Sequence, residues 1–288
     1  MITIQESLKT AKEQLSDITE NPTLDAELLL AHVLQTSRSY LRAWPEKILN
    51  AEELNSFNQY VKRRCHKEPV AYITGEKEFW SLPLAVTKDT LIPRPETELL
   101  IECALNLISP DSRNIKIADL GTGSGAIALA LASERPDAKI YASDISDKAL
   151  QVAKVNADKL QLKNVSFHLG NWCSGLESRD FDLIISNPPY IAETEWKNYA
   201  DGLAFEPKSA LVSGKDGLDA IFTISQIARE YLRLKGFLLV EHGYRQAESV
   251  REIFKMAKYE QIFSVRDLLG YERVTIGRVK AKGIPSTE

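Results

Sequence analysis

Apolar positions in the first 75 residues recur at helical spacing. Ile4, Leu8, Ala11 and Leu15 share one face of a first helix. Asn21-Pro22 opens a second, because proline suits a first helical turn, and Leu24, Leu28, Ala31 and Leu34 mark its predicted inner face. Asn50 caps a third, with Glu53 three residues on and Leu54, Phe57 and Val61 facing inward. Its far end, Lys62-Arg63-Arg64-Cys65-His66-Lys67, reads as cations beside a helix C-terminus in preference to a docking patch. His32, among apolar neighbours, reads as a packed ring.

From residue 115 the period changes. Short apolar runs at 115–120, 139–143, 165–169, 181–186, 236–241, 259–265 and 273–279 alternate with helical patterns near 125–134, 146–160, 217–234 and 245–257. Such alternation predicts an α/β fold, a mostly parallel sheet with helices on both faces. Only Asp267 to Glu272 separates the last two runs. They are expected to pair antiparallel and leave a reversed strand at one edge. Between the two halves, Glu78-Phe79-Trp80 and Leu84-Ala85-Val86 flank Ser81-Leu82-Pro83 as a small hairpin. The expected division is a helical domain at 1–75, a hairpin linker at 76–92 and an α/β domain at 93–288. Ala281 to Glu288 reads as a frayed tail.

Composition narrows the class. A chain of 288 residues with 44% hydrophobic and 26% charged residues has the make-up of a soluble protein able to bury a core. The net charge of −4 counts against direct tracking of a nucleic-acid backbone. Cys65, Cys103 and Cys173 are odd in number and widely spaced, which predicts unpaired thiols in a reducing compartment and no metal site. The N-terminus lacks a basic segment followed by a long apolar one, so neither a signal peptide nor a membrane span is expected. The expectation is a cytoplasmic monomer.

The candidate chemistry lies at strand ends. Ser186-Asn187-Pro188-Pro189-Tyr190 comes directly after the run Phe181 to Ile185. Two prolines stop the strand and stiffen the segment at its end. Asn187 Oδ1 and the Pro188 carbonyl are acceptors for the two N–H bonds of a planar nitrogen. Acceptors out of the amide plane favour a pyramidal nitrogen with its lone pair aimed at an electrophile, and Tyr190 would stack on the flat face. An ordinary Asn-Pro turn is the structural alternative. Earlier in the chain, Asp119-Leu120-Gly121-Thr122-Gly123-Ser124-Gly125 joins a strand to a helix. Glycines allow close approach of a ligand, and helix N-terminal amides favour an anionic group. The spacing Gly-x-Gly-x-Gly fits neither the dinucleotide fingerprint nor the phosphate loop. Asp144 ends the next strand, placed to take both hydroxyls of a ribose. A nucleoside with a small carboxylate tail, such as S-adenosylmethionine, suits the site. Asp119 either steadies the loop, binds an amino group or is structural. Trp172 either packs on an adenine or belongs to the core.

These residues resemble the class I, S-adenosylmethionine-dependent amino methyltransferases. The match extends to Glu68 through Gly75, the run Ile92-Pro93-Arg94-Pro95-Glu96-Thr97-Glu98, Phe205-Glu206-Pro207, Asp216-Gly217-Leu218, Glu241-His242-Gly243 and Arg266-Asp267-Leu268. Together they resemble the HemK/PrmC family, which methylates the glutamine side-chain amide (N5) in the Gly-Gly-Gln motif of class 1 peptide chain release factors. The resemblance implies a seven-stranded, mostly parallel class I methyltransferase-like sheet and an N-terminal helical domain that grips the release factor. It implies cofactor contacts at Gly121, Thr122, Gly123, Ser124, Gly125, Asp144, Trp172 and Asn187, and a glutamine ledge at Asn187, Pro188, Pro189 and Tyr190. It further implies S-adenosylhomocysteine as product and no metal. The family usually has aspartate where this chain has Asn171, which removes a carboxylate contact there. The alternatives are an amino methyltransferase acting on adenine or guanine of DNA or RNA, and a binding module without catalysis.

Overall fold

The structure, a computed structural model, describes residues 1–109, 111–197 and 203–280. The tail expected at Ala281 to Glu288 lies outside the described residues. The chain divides into two compact units, Met1–Glu76 and Lys77–Glu288.

In the first unit, helices α1 (Ile4–Leu15), α2 (Pro22–Val33), α3 (Arg38–Ala43), α4 (Ala51–Cys65) and α5 (Val70–Thr74) enclose a core built on Ile4, Leu15, Leu29, Leu30, Leu41 and Phe57. Thr3 with Glu6 and Asn50 with Glu53 each form a reciprocal cap that satisfies backbone amides at the starts of α1 and α4. The face expected for α2 is corrected. Leu24 and Leu28 are 36% and 37% exposed, while Asp25, Ala26, Glu27, Leu29, Leu30 and Ala31 are buried. Apolar residues surround this helix, so periodicity alone did not select a face. Its two buried acids are paired instead: Glu27 with Arg38 and Arg42, Asp25 with Arg64 at 2.8 Å. The basic end of α4 is likewise engaged internally, Arg63 with Glu68 and His66 Nδ1 with the Lys62 carbonyl at 2.7 Å. His32 lies beside Tyr60, ring centroids 5.9 Å apart.

In the second unit, a two-stranded hairpin, β1 (Glu76–Phe79) and β2 (Leu82–Ala85), precedes α6 (Glu98–Leu107). The hairpin register differs from the expected one, because the turn falls on Trp80 and Ser81 at φ of 52° and 59°. Both turn residues then twist with the strands, a geometry usually given to Asn-Gly. Glu98 and Glu134 hold the turn: Trp80 N donates to Glu98 Oε1 at 2.9 Å and Trp80 Nε1 to Glu134 Oε1 at 2.7 Å. Buried Asn156 fixes the second strand with hydrogen bonds to both Ala85 N and Ala85 O.

Strands β3 (Lys116–Leu120), β4 (Lys139–Asp144), β5 (Val165–Leu169), β6 (Phe181–Ser186), β7 (Leu232–Glu241), β8 (Tyr259–Arg266) and β9 (Glu272–Val279) form one sheet in the order β5-β4-β3-β6-β7-β9-β8. This is the seven-stranded, mostly parallel sheet that was expected. Side chains of successive strand residues point to opposite faces. Ile117, Leu183, Ile185 and Leu239 join one core with α6 and α7 (Ala126–Glu134). Helix α8 (Asp147–Leu160) crosses from β4 to β5. Ala118, Ile184, Leu238 and Val240 join the other core with α9 (Asp219–Tyr231) and α10 (Ala247–Met256). Each fully buried Ile or Leu contributes about 1.5–3 kcal/mol. Two expectations are corrected. β7 starts at Leu232, so the preceding helix ends at Tyr231 and not near 234. The reversed strand, β9, pairs with β7 and β8 on its two sides, so it lies one place in from the edge.

Candidate active site

Register aligns the carboxyl ends of adjacent strands. Leu120 is level with Ser143 on one side and Ser186 on the other, and Ser186 with Val240. Gly121, Asp144, Asn187 and Glu241 therefore leave the sheet side by side, with neighbouring strands about 4.8 Å apart. Asp144 is level with Leu169, which sets Gly170 to Trp172 next in the row. Ser186 Oγ donates to the Leu120 carbonyl at 2.7 Å and pins two strand ends together. In open parallel sheets this edge is where ligands bind.

The glycine loop turns sharply. Gly121, Gly123 and Gly125 sit at φ of 73°, 57° and 86°, which L side chains rarely adopt. A Cβ on Gly125 would also lie 3.0 Å from Leu129 and 3.2 Å from Ala153, so the start of α7 needs glycine twice over. Four of the loop's amides bond within the protein. Gly121 N and Thr122 N donate to the Ser143 carbonyl, Gly123 N to Asp144 Oδ2 at 2.9 Å, and Gly125 N to the Thr122 carbonyl. Asp119 steadies the loop from below: its Oδ2 accepts from Thr122 Oγ1 at 2.6 Å and from Ala128 N at 3.2 Å. Thr122 and Ser124 are buried. Trp172 is half-buried in a left-handed conformation at φ of 53°, its ring packed on the second core and 3.4 Å from where a Gly121 Cβ would stand. Asn171 is engaged as a cap, accepting from Ser174 N while Ser174 Oγ accepts from Asn171 N at 3.0 Å. Asparagine thus performs a local structural task at the position where the resemblance implies an acid.

On the ledge Pro188 is buried, and Asn187, Pro189 and Tyr190 are half-buried. Asn187 Nδ2 donates to Thr97 Oγ1 at 2.9 Å. Tyr190 Oη donates to Glu241 Oε1 at 3.3 Å, and its carbonyl accepts from Gln246 Nε2 at 3.0 Å. Gly217, at φ of 80°, passes so close that a Cβ there would collide with the Tyr190 carbonyl. The Pro93 to Glu98 run braces this ledge. Arg94 pairs with buried Glu206, which also accepts from Ile92 N at 3.0 Å, and Glu98 holds the hairpin turn. Glu96 is exposed. Sequence reasoning assigned no role to Thr97, Glu206 or Glu241. Glu241 carried a readable signal, since it ends the apolar run Leu238-Leu239-Val240 as Asp144 ends its strand.

Three carboxyls cluster along the row. Burial pushes Asp119 up to about 7, against hydrogen bonds from Thr122 and Ala128, and Asp119 Oδ1 is buried without a partner. Burial also raises Asp144, against amide bonds from Ser146 and Gly123. Glu241 is pushed by burial up to about 7, against the opposing influence of the nearby Thr97 and Tyr190 hydroxyls, and its Oε2 has no partner. A row of acceptors with an orphaned carboxylate oxygen under the loop suits a ligand bearing positive charge and hydroxyls. It does not suit a pyrophosphate. Two groups near this edge that could act as nucleophile or base are disarmed by burial. The Cys173 thiol is driven up to about 12. His242 is buried, bonded to Thr275 Oγ1 at 2.8 Å and the Gly243 carbonyl, and burial holds its pKa below the usual range.

Comparison with known proteins places both units of the chain among known domains. Residues 6–75 match the PrmC N-terminal domain and residues 111–275 a methyltransferase domain. The release factor glutamine methyltransferase of Coxiella burnetii is 47% identical over 278 residues, covering 96% of this chain and 99% of that protein. The protein of the same name from Escherichia coli is 44% identical, covering 95% and 98%. Among solved structures, a methyltransferase from Pyrococcus furiosus shares the fold, with a TM-score of 0.51 at 16% identity over 76% of this chain and 99% of that one. The chain belongs to the HemK/PrmC family of release factor glutamine methyltransferases.

Proposed function

We propose that this protein transfers a methyl group from S-adenosylmethionine to the side-chain amide nitrogen of the glutamine in the Gly-Gly-Gln motif of peptide chain release factors. The observation that carries the reading is similarity through both units, 47% over 96% of the chain, to a protein that bears this activity in its name. The acceptor-lined site supports it. S-adenosylmethionine supplies an electrophilic methyl group on a positively charged sulfur, together with an ammonium group and two ribose hydroxyls. Asp144 is placed to accept from the hydroxyls, and the orphaned Asp119 oxygen favours nearby positive charge. Gly121 to Gly125 lets the tail approach the backbone, and Trp172 offers a ring face for the adenine.

The chain's own part in the transfer is positioning. A carboxamide nitrogen attacks poorly because its lone pair is delocalised. Asn187 Oδ1 and the Pro188 carbonyl accept its two N–H bonds and turn the lone pair out of the plane. Pro189 stiffens the ledge and Tyr190 holds the amide flat. Once methylated, the nitrogen sheds a proton readily to water, so no residue is assigned as a general base. Among the described residues no helix is long and apolar enough to cross a membrane, and no acid, histidine and cysteine cluster suits a metal. The test is to incubate the protein with isotopically labelled cofactor and a purified release factor and locate the label by mass spectrometry. Label on the Gly-Gly-Gln glutamine is expected. Label on another residue, or on added tRNA or DNA alone, would refute the proposal.

A further inference from the structure

The turn between β8 and β9 is closed by Asp267 N donating to the Tyr271 carbonyl at 2.8 Å and Gly270 N to the Asp267 carbonyl at 2.9 Å. The Asp267 carboxylate accepts from Leu269 N at 3.0 Å, Tyr271 N at 2.9 Å and Arg273 Nε at 3.0 Å. Arg266 donates to the Gly270 carbonyl at 2.6 Å. Backbone and side chains together make this turn rigid. What it holds out is apolar. Leu268 is fully exposed and Leu269 is 77% exposed. Beside them the exposed rings of Tyr244 and Tyr271 meet edge to face, centroids 5.3 Å apart, with the Arg273 guanidinium 5.6 Å from the Tyr244 ring. Single apolar residues on a surface need no explanation. Two leucines and two tyrosines set out together by a fixed turn mark a contact surface, and tyrosine with arginine is the usual make-up of one.

The turn stands at the same edge of the sheet as the ledge. Strand β9 runs antiparallel to β7, with Val274 level with Glu241 and His242 N donating to the Arg273 carbonyl at 2.9 Å. The segment before β9 therefore lies past the carboxyl end of β7. Tyr244 is tied to the ledge more directly. Its loop is closed by Gly243 N donating to Gln246 Oε1 at 2.8 Å, and Gln246 Nε2 donates to the Tyr190 carbonyl at 3.0 Å. We propose that Leu268, Leu269, Tyr244 and Tyr271 form a docking surface for the release factor, covered by apolar side chains of the segment next to its target glutamine. The identity of this partner rests on the proposed function. A protein whose glutamine reaches Asn187 to Tyr190 brings its neighbouring residues over this edge, where the turn meets them. Because the turn is already fixed, docking costs little ordering entropy. The contact adds affinity for the whole factor and takes no part in the methyl transfer.

The test replaces both leucines with serine. Their side chains lie in solvent, and the turn is held by Asp267 and Arg266, so L268S/L269S is expected to keep its thermal midpoint and its cofactor affinity by calorimetry. For methylation of the release factor, KM is expected to rise about 10-fold or more, with kcat within about twofold. Leu234, half-exposed on β7 at the opposite end of the sheet, supplies the control: L234S should leave KM unchanged. An unchanged KM in L268S/L269S, or an equal rise in L234S, would overturn the proposal. A second readout needs no turnover. The methyl signals of Leu268 and Leu269, assigned by their loss in L268S and L269S, should shift when release factor is added to protein saturated with S-adenosylhomocysteine. Signals that stay in place overturn the docking surface, and this readout decides should the double variant not fold. Sedimentation that shows a dimer abolished by L268S/L269S, with KM unchanged, would give the surface to a second copy of the chain and overturn the proposal. If the unsubstituted protein binds the release factor without methylating its Gly-Gly-Gln glutamine, the proposed function falls, and the methyl signals still judge the docking.

Discussion

Asn187 shows how one side chain serves two neighbours. Its nitrogen donates to Thr97, and under the proposed function its oxygen is offered to the substrate. Replacing it with alanine should lower kcat about 100-fold, because attack geometry is lost while the glycine loop and Asp144 stay in place. Single-turnover kinetics together with cofactor calorimetry check this; an equal loss in cofactor affinity would shift Asn187 from positioning to cofactor binding. Asp144→Ala should act in the opposite manner. It removes the carboxylate that braces Gly123 and that the proposed function assigns to the ribose, and cofactor affinity should fall about 10-fold or more. Unchanged affinity would refute the assignment. Asp119 governs a pH dependence. Its pKa is raised from 3.8 to about 7, so between these values the folded state holds a proton that the unfolded chain has lost. Stability from this residue is present at acid pH and is lost as pH rises toward and through 7. Glu241 acts in the same direction. Acids whose pKa is lowered, such as Glu68 with Arg63 and Asp137 with Arg135, lose their contribution only at pH below their ordinary range. Urea unfolding at pH 5 and pH 8 should show the unsubstituted protein losing about 1–3 kcal/mol more than Asp119→Asn. Equal losses would contradict the raised pKa.

At the scale of elements, the parts readable in sequence were those fixed by neighbours in the chain. The capping pair Asn50 and Glu53 lies three residues apart. The glycine loop is local, and an acid ending an apolar run marks Asp144. Elements set by distant partners were less legible. The face of α2 depends on Arg38, Arg42 and Arg64, which pair its acids from three other positions. The hairpin turn falls on Trp80 and Ser81 because Glu98 and Glu134 reach it from elsewhere, against the usual turn preferences. Ser81→Gly should therefore raise stability by about 1 kcal/mol, since glycine adopts positive φ without strain. A lowered midpoint in thermal unfolding would show that Ser81 is held by something other than the turn. The opposite holds for Asn156, whose amide satisfies Ala85 N, Ala85 O and Ser124 O. Asn156→Leu leaves buried backbone groups unpaired and should cost about 3 kcal/mol. The same substitution links hairpin and glycine loop, so cofactor affinity should weaken along with stability.

Across the whole molecule, the site is a consequence of sheet topology. Strands far apart in sequence end side by side, so Gly121, Asp144, Asn187 and Glu241 form one row although they come from four separate segments. The α/β pattern predicted the sheet but not the place of β9, because a hairpin return can lie at an edge or inside it, and only pairing with β7 decides. The contacts of Asn187 with Thr97 and of Tyr190 with Glu241 were illegible for the same reason: no local spacing connects these residues. Similarity to proteins named release factor glutamine methyltransferase extends through both units, over 96% of the chain, which is why the proposed substrate is a release factor. The most direct measurement of the central claim uses the intact chain, labelled S-adenosylmethionine and a purified release factor, with the methylated atom identified by mass spectrometry. The account predicts one methyl group on the side-chain nitrogen of the Gly-Gly-Gln glutamine, and none when that residue is changed to glutamate. A methyl group elsewhere on the factor, or transfer that persists with glutamate in place, would contradict it.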